Sequence, residues 1–150
     1  HKLNNAVFKQ EGDGAAPSGV FEFGTAFGID PVGGKWPYRV LNEDDRFVDD
    51  RNSRFYNQWM VYREGHGEWE SAETMLRKDG LYNQGLVVKH NMNPVVSGAG
   101  SAIFFHIWRS SSSPTLGCTA MSEKNMKQVL RWLDPDKKPL LVQGRLRYNP

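Results

Sequence analysis

The chain has 150 residues, 39% of them hydrophobic and 12% aromatic, which predicts one globular domain over residues 1–150. Its 19 Lys and Arg against 17 Asp and Glu argue against a nucleic-acid-binding surface, because such a surface needs a concentrated basic face. No apolar run has the length of a membrane helix and no secretory signal pattern is visible, and since residue 1 is histidine we expect any signal or anchor to lie outside this sequence.

The first third of the chain alternates short apolar runs with segments rich in glycine and proline, a pattern typical of β structure. Strands are predicted around Ala6–Phe8, over Val20–Phe23 and over Pro37–Leu41. Residues 24–36 hold four glycines and a proline, which favours a long connection that lines a cleft. Residues 42–52 are rich in charge and are interpreted as a surface stretch.

The run from Asn52 to Trp59 mixes aromatic rings with amides, among them Tyr56 and Asn57. Rings cover apolar faces of a ligand while amides bond to peptide groups, so Tyr56 and Asn57 are candidate substrate-binding residues. The alternative is ordinary core with a polar edge.

The middle of the chain carries two more histidines. His66 lies between glycines and predicts an exposed turn, and Ser71–Lys78 is predicted as a short helix capped by Ser71. The apolar run Leu86–Lys89 predicts a buried strand that ends at His90. We expect His90 to line the cleft or to support a residue that does.

The stretch around His106 and Cys118 carries the strongest chemical signal. The run Ala102–Phe105 predicts a buried strand that delivers His106 at its end. Ser122 is a good N-cap, and Met126, Val129, Leu130 and Leu133 follow at helical spacing before Asp134-Pro135 ends the helix.

Cys118, the only cysteine of the chain, therefore comes shortly before a predicted helix. The positive end of a helix and a nearby imidazolium both favour the thiolate, which is the form that attacks a carbonyl carbon. Gly117 leaves room for a substrate carbonyl and lets backbone N–H groups point at an oxyanion. The alternative is an inert buried thiol and a structural histidine.

Two motifs resemble the L,D-transpeptidase (YkuD-type) family. The first is His106 followed by Thr115-Leu-Gly117-Cys118, similar to the family's histidine and Ser/Thr-His-Gly-Cys loop. The second is Gly12-Asp-Gly-Ala-Ala-Pro-Ser-Gly19-Val-Phe, similar to its Gly-Asp-Gly-x-Thr-Pro-x-Gly-x-Phe stretch. The sequence departs from the pattern at Leu116, where the second histidine usually stands, and at Thr119-Ala120.

The resemblance implies a site and a fold. It implies Cys118 as nucleophile, His106 as base and proton donor, and the Ile107 carbonyl as the group that orients the imidazole. Thr115 and Trp108 are expected to contribute to substrate binding. The implied fold is mostly β with one or two helices, a YkuD-like β-sandwich of mixed sheets with the active site at one end.

The resemblance also implies a reaction on peptidoglycan. Cys118 would attack the carbonyl that joins an L-centre to the terminal D-amino acid of a stem tetrapeptide, and an amine would then take the acyl group. Stem peptides and carbapenem-type inhibitors are the implied partners, and the implied location is outside the cytoplasm, in the periplasm or cell wall.

Three other interpretations stay open. One is an L,D-carboxypeptidase or other hydrolase with the same Cys–His pair, and another is a non-catalytic wall-binding module. The third places zinc on His90, His106 and Cys118, but their spacings match no structural zinc pattern, so no metal is expected.

No phosphate loop or dinucleotide fingerprint is present, so no cofactor is expected. A papain-like protease is disfavoured because its cysteine signature is missing and the order of cysteine and histidine is reversed.

Overall fold

A computed structural model of the protein describes residues 8–63 and 68–144. Residues 6 and 7 of the first predicted strand and the predicted turn at His66 lie outside these ranges. The strands are β1 Gly19–Gly28, β2 Tyr38–Val40, β3 Asp45–Val48, β4 Trp59–Val61, β5 Ala72–Thr74, β6 Gln84–Val88, β7 Phe104–Ile107, β8 Thr119–Met121 and β9 Leu140–Gln143. The helix α1 spans Glu123–Trp132, and a 3₁₀ turn follows at Pro135–Lys137.

The strands form two sheets. The larger has six strands in the order β2-β1-β6-β7-β8, with β9 paired to the first half of β1, and the smaller has three in the order β4-β3-β5. β2 runs parallel to β1 and β8 parallel to β7, whereas the other pairs are antiparallel. The larger sheet is therefore mixed.

The central strands β6 and β7 are covered on both faces. Alternate residues of a strand point to opposite faces. Phe105 and Leu86 pack into a cluster that contains the buried side of α1, while Phe104 and Val87 pack with Phe47 of the smaller sheet. This arrangement explains why consecutive residues such as Leu86–Val88 and Phe104–Phe105 are all apolar, and it places the helix on one side of the large sheet and the small sheet on the other.

Helix α1 forms as its sequence predicts. The Ser122 side chain accepts the Asn125 N–H at 3.2 Å and caps the N-terminus. Met126 and Leu130 are buried against the sheet, each contributing about 1.5–3 kcal/mol of apolar burial. The helix ends before Asp134-Pro135, since the residue before a proline disfavours helical geometry.

Strand β1 is longer than predicted, and residues 24–28 belong to it rather than to a long connection. The glycines mark close packing in the sheet. A Cβ at Gly28 would lie 2.2 Å from both the Asn83 carbonyl oxygen and the Tyr38 hydroxyl, and one at Gly24 would lie 3.0 Å from the Val87 Cβ.

Two further predictions are wrong. Residues 42–52 are not all surface, because β3 lies within them and is mostly buried. Its first residue, Asp45, can be fully buried because Arg39, Asn42 and Trp59 donate to its carboxylate. Residues 71–78 form no helix. They contain β5, whose pairing with β3 outweighs the local helical preference.

The fold class is confirmed as mostly β, with one α-helix in the described ranges and a mixed sheet packed against a second sheet. In residues 8–63 and 68–144, no helix is long and apolar enough to cross a membrane.

Candidate active site

The pairing of β7 with β8 brings Cys118 beside the strand that carries His106. These strands run in parallel with Phe105 opposite Thr119 and His106 opposite Ala120. Cys118 immediately precedes β8, so the same register brings it to Phe104. A short loop between two parallel neighbours thus delivers both side chains to one face.

That face borders a cavity of about 410 Å³. Cys118, His106, Thr115 and Trp108 are among the residues that line it. Charged side chains also line it, namely Glu11, Asp49, Glu73, Arg77 and Arg109. The cavity is large enough for a peptide end and carries both donors and acceptors for it.

His106 is fixed in one orientation. Its Nδ1 lies 2.8 Å from the Ile107 carbonyl oxygen, and since a carbonyl only accepts, Nδ1 carries the hydrogen in this bond. The neutral ring then presents Nε2 without a proton, as a base requires. Its edge packs on the Tyr82 ring with centroids 5.5 Å apart. Burial lowers the pKa of His106, so the ring is neutral near pH 7.

The Cys118 thiol is bonded to the backbone of residues 102–104. Sγ donates to the Ala102 carbonyl oxygen at 3.4 Å and accepts the Phe104 N–H, also at 3.4 Å. Burial raises the pKa of the thiol to about 11, against a smaller lowering by the Phe104 N–H. In this state the group is a thiol rather than a thiolate.

The expected help from a helix N-terminus is not found. Strand β8 lies between Cys118 and the α1 cap at Ser122, so the thiol is separated from the helix start by a span of roughly 10 Å. The helix dipole acts mainly within the first turn, and it therefore contributes little to the state of the thiol.

The loop before Cys118 is held by its own contacts. Thr115 Oγ1 donates to the Cys118 carbonyl at 2.6 Å. Gly117 has φ +125°, and a Cβ there would lie 2.9 Å from the Ala15 carbonyl oxygen, so only glycine fits. Leu116 is 90% exposed and borders the cavity. The Trp108 N–H donates to the Met121 carbonyl at 2.9 Å.

Tyr56, Asn57 and His90 are not among the residues that line the cavity. The Asn57 side chain donates to the carbonyls of His90 and Asn91 and accepts the Ala102 N–H. Tyr56 donates to Glu11 and accepts the Gly100 N–H. His90 Nε2 bonds to the Ala99 carbonyl at 2.8 Å. The structure therefore places the three around the segment that leads into β7, behind the thiol.

Sequence reasoning missed the charged lining of the cavity. Glu73 and Arg77 lie within the predicted short helix Ser71–Lys78, where a pair of opposite charges four residues apart is common. Only the pairing of β5 with β3 brings Glu73 to the cavity. In the part of the chain that the structure describes, no group of three or more His, Cys, Asp and Glu is arranged to hold a metal.

Comparison with protein families agrees with the fold. The family model for the YkuD L,D-transpeptidase catalytic domain matches residues 6–142. No curated protein and no solved structure matches the chain. Since the matched residues span both sheets, the cavity and helix α1, the chain belongs to the YkuD family of L,D-transpeptidase catalytic domains.

Proposed function

We propose that this domain is a cysteine-dependent peptidoglycan L,D-transpeptidase with Cys118 as nucleophile. The observation that carries the proposal is that one cavity holds the Cys118 thiol and a neutral His106 whose Nδ1 is occupied by the Ile107 carbonyl. Membership of the family supplies the class of reaction. Thiol and imidazole start uncharged, so His106 acts as a general base during the attack.

In the first half-reaction the thiol leaves the Ala102 carbonyl and turns toward His106 Nε2. Sγ attacks the carbonyl carbon that precedes the terminal D-amino acid of a stem tetrapeptide, while its proton passes to Nε2. Backbone N–H groups near Gly117 are the proposed donors to the oxyanion. The C–N bond then breaks, the leaving amine takes the proton from His106, and a thioester remains on Cys118.

In the second half-reaction an amine attacks the thioester. His106 takes the proton of the amine, the new amide bond forms, and Sγ leaves and is reprotonated. Water in place of the amine gives a carboxylic acid, which is L,D-carboxypeptidase activity. The many charged groups of the cavity favour this second candidate as a side reaction, because a polar cavity admits water to the thioester.

The proposal fixes the expected partners and location. Thr115 and Trp108 line the cavity beside the thiol, and they are proposed to contact the peptide. The substrate occurs in the cell wall, so the proposed location is extracytoplasmic. Carbapenems are strained acylating agents, and we propose that they acylate Cys118.

The test is mass spectrometry of disaccharide-tetrapeptides incubated with the protein. Cross-linked dimers with loss of D-alanine support a transpeptidase, and tripeptide without dimers moves the assignment to a carboxypeptidase. Cys118→Ser is the matched control, since it keeps the shape of the site with a much weaker nucleophile.

A carbapenem gives an independent readout of the nucleophile. We expect one covalent adduct on the wild type and none on Cys118→Ser. Unchanged peptides together with no adduct would contradict the proposed activity and favour a wall-binding module.

A further inference from the structure

Glu73 and Arg77 face the cavity as a loosely joined pair of opposite charges. Glu73 lies in the middle of β5 and Arg77 follows in the next loop. Arg77 Nη1 is 3.5 Å from Glu73 Oε2, and the Tyr82 hydroxyl is 3.4 Å from the same oxygen. Both contacts are long for hydrogen bonds to a carboxylate. Each side chain is about a third exposed, so the pair is open to a ligand.

Two other carboxylates near this region, Asp79 and Glu11, are better satisfied, whereas Asp49 accepts only the Ser71 hydroxyl among the described residues. Asp79 receives Arg77 Nε, Arg77 Nη2, the Leu81 N–H and Arg109 Nη2. Glu11 receives two hydroxyl groups, from Tyr56 and Ser101. Glu73 has only its two long contacts, both to Oε2, among the described residues. A carboxylate that the fold leaves with so few donors is available to bind a cation.

Arg77 is held rigidly and still has donors to spare. Nε and Nη2 of Arg77 both donate to the Asp79 carboxylate. The Arg77 guanidinium also lies over the Tyr82 ring, 5.0 Å from the ring centroid. Among the described residues, the remaining nitrogen Nη1 makes only the long contact to Glu73. A guanidinium fixed in this way is preorganised to bind a carboxylate.

The pair also lies near the reacting groups. Glu73, Arg77, His106 and Cys118 line the same cavity. The negative charge of Glu73 raises the pKa of the Cys118 thiol, and the positive charge of Arg77 lowers that of His106, each in addition to the larger effect of burial. A group bound by the pair would therefore lie in the same cavity as the reacting groups.

We propose that Glu73 and Arg77 form a specificity site for an α-amino acid zwitterion, with the ammonium on Glu73 and the carboxylate on Arg77. A ligand that carries an ammonium and a carboxylate on one carbon can bind to Glu73 and Arg77 at the same time. A ligand with a single charge can satisfy only one of the two residues. The inference rests on the proposed function, because the zwitterion is assigned to a side chain of a stem peptide. It belongs either to the stem that is cleaved or to the stem that accepts the acyl group.

The test uses three tetrapeptides that differ only at the side-chain end of the third residue, diaminopimelate. One is unmodified, one has the side-chain carboxylate amidated, and one has the side-chain amine acetylated. We expect wild type to release D-alanine from the unmodified peptide with a kcat/KM about ten- to a hundredfold higher than from either modified form.

Each variant should lose one half of this discrimination. Arg77→Gln should no longer distinguish the free from the amidated carboxylate, yet should still reject the acetylated amine, and Glu73→Gln should do the reverse. A merely structural role would lower the rates with all three peptides by one factor. Arg54→Gln, which removes an exposed ion pair with Glu68 away from the cavity, is the control that should keep the full discrimination.

The two sources of the zwitterion give different readouts. Discrimination in single-turnover formation of the acyl-enzyme assigns the group to the cleaved stem, because no acceptor takes part in that step. Discrimination between the unmodified and the amidated peptide that occurs only in dimer formation assigns it to the acceptor. The acetylated peptide is left out of the dimer comparison, because it lacks the amine that attacks the thioester. Equal rates of acyl-enzyme formation for the three peptides, together with equal dimer formation by the unmodified and the amidated peptide, would overturn the zwitterion site but leave the L,D-transpeptidase assignment standing. A wild type that releases D-alanine from none of them would overturn both.

Discussion

The Cys118 thiol donates its hydrogen to the Ala102 carbonyl oxygen, 3.4 Å away, and is not hydrogen-bonded to His106 in the described structure. Ala102 can present its carbonyl in this direction because its φ is +52°, a left-handed value that is uncommon for a residue other than glycine. The residue with positive φ ahead of β7 therefore supplies the acceptor for the protonated thiol.

We predict that Cys118 of the free protein is alkylated slowly at neutral pH. Burial raises the pKa of the thiol to about 11. Thiolate should therefore form, and labelling accelerate, only at pH values well above the ordinary thiol pKa of about 8.5. The measurement is the rate of iodoacetamide labelling against pH, followed by mass spectrometry. His106→Gln should have the same midpoint, because the free thiol does not depend on the imidazole. A midpoint below pH 7 would show instead that the resting site holds a thiolate and imidazolium pair.

We predict that His106→Gln loses about 10²–10⁴ of the acylation rate while keeping the fold, since the loss is that of one general base. In the wild type, a protonated imidazole cannot accept the thiol proton, so the acylation rate should fall as His106 is protonated. Burial lowers the pKa of His106, so the acid limb of kcat/KM should lie below pH 6.5. The experiment is single-turnover acylation by a carbapenem over a pH series, with thermal unfolding of both proteins as the control for folding. Wild-type rates in the variant would exclude His106 as the base.

The features that the sequence predicts best are those set by local pattern. The apolar runs at β6 and β7 predict buried strands because both faces of these strands are covered. Helix α1 follows from a cap and a one-sided apolar stripe. Cys118 and His106 are separated in the chain, and it is the family motif that predicts them as partners.

The features that the sequence does not predict depend on contacts between distant segments. The glycines of residues 24–28 favour a loop in the sequence, although in the structure they permit close packing of β1 against its neighbours. Residues 71–78 carry a helical preference, yet β3 draws residues 72–74 into a sheet and so turns Glu73 toward the cavity. The raised pKa of Cys118 has the same origin, because burial by other elements outweighs any effect of a nearby helix.

We predict that Asn57 holds the backbone around Ala102, the residue that bonds to the Cys118 thiol, and does not bind substrate. Its side chain makes three hydrogen bonds to backbone groups, and one of them holds Ala102. Because Asn57 has φ +59°, glycine fits its backbone, and Asn57→Gly removes only the side chain. We expect a loss of about 2–4 kcal/mol in the free energy of unfolding, as each bond contributes about 1 kcal/mol.

The loss of the Asn57 side chain should also change the titration of the Cys118 thiol. Without Asn57 the Ala102 carbonyl is released, the thiol loses its acceptor, and the midpoint of Cys118 alkylation should fall. Gln58→Ala is the matched control, since its neighbouring side chain is exposed and should change the free energy of unfolding by less than about 0.5 kcal/mol. Full stability and an unchanged midpoint, together with a raised KM, would assign Asn57 to substrate binding instead.

We predict that the Asp45 carboxylate stabilises the smaller sheet through its buried ion pair and hydrogen bonds. Its fully buried carboxylate accepts from Arg39, from the Asn42 N–H at 2.9 Å and from Trp59 Nε1 at 3.0 Å, which joins β3 to β4 and to the loop after β2. Asp45→Asn leaves Arg39 without its counter-charge and turns an amide toward these donors. We expect a loss of about 3–5 kcal/mol in the free energy of unfolding at pH 7.

The same residue makes the loss depend on pH. Burial alone would raise the pKa of Asp45, but the hydrogen bonds from Arg39, Trp59 and Asn42 lower it below its ordinary value. The stabilisation is thus complete above the unfolded pKa of about 3.9 and is lost as pH falls through the lower folded pKa. Urea unfolding from pH 7 to pH 2.5 should show the gap between wild type and Asp45→Asn closing below about pH 4. Asp44→Asn, at an exposed neighbouring position, should show almost no gap at any pH. A gap for Asp45→Asn that stays constant down to pH 2.5 would mean that shape, rather than charge, makes Asp45 necessary.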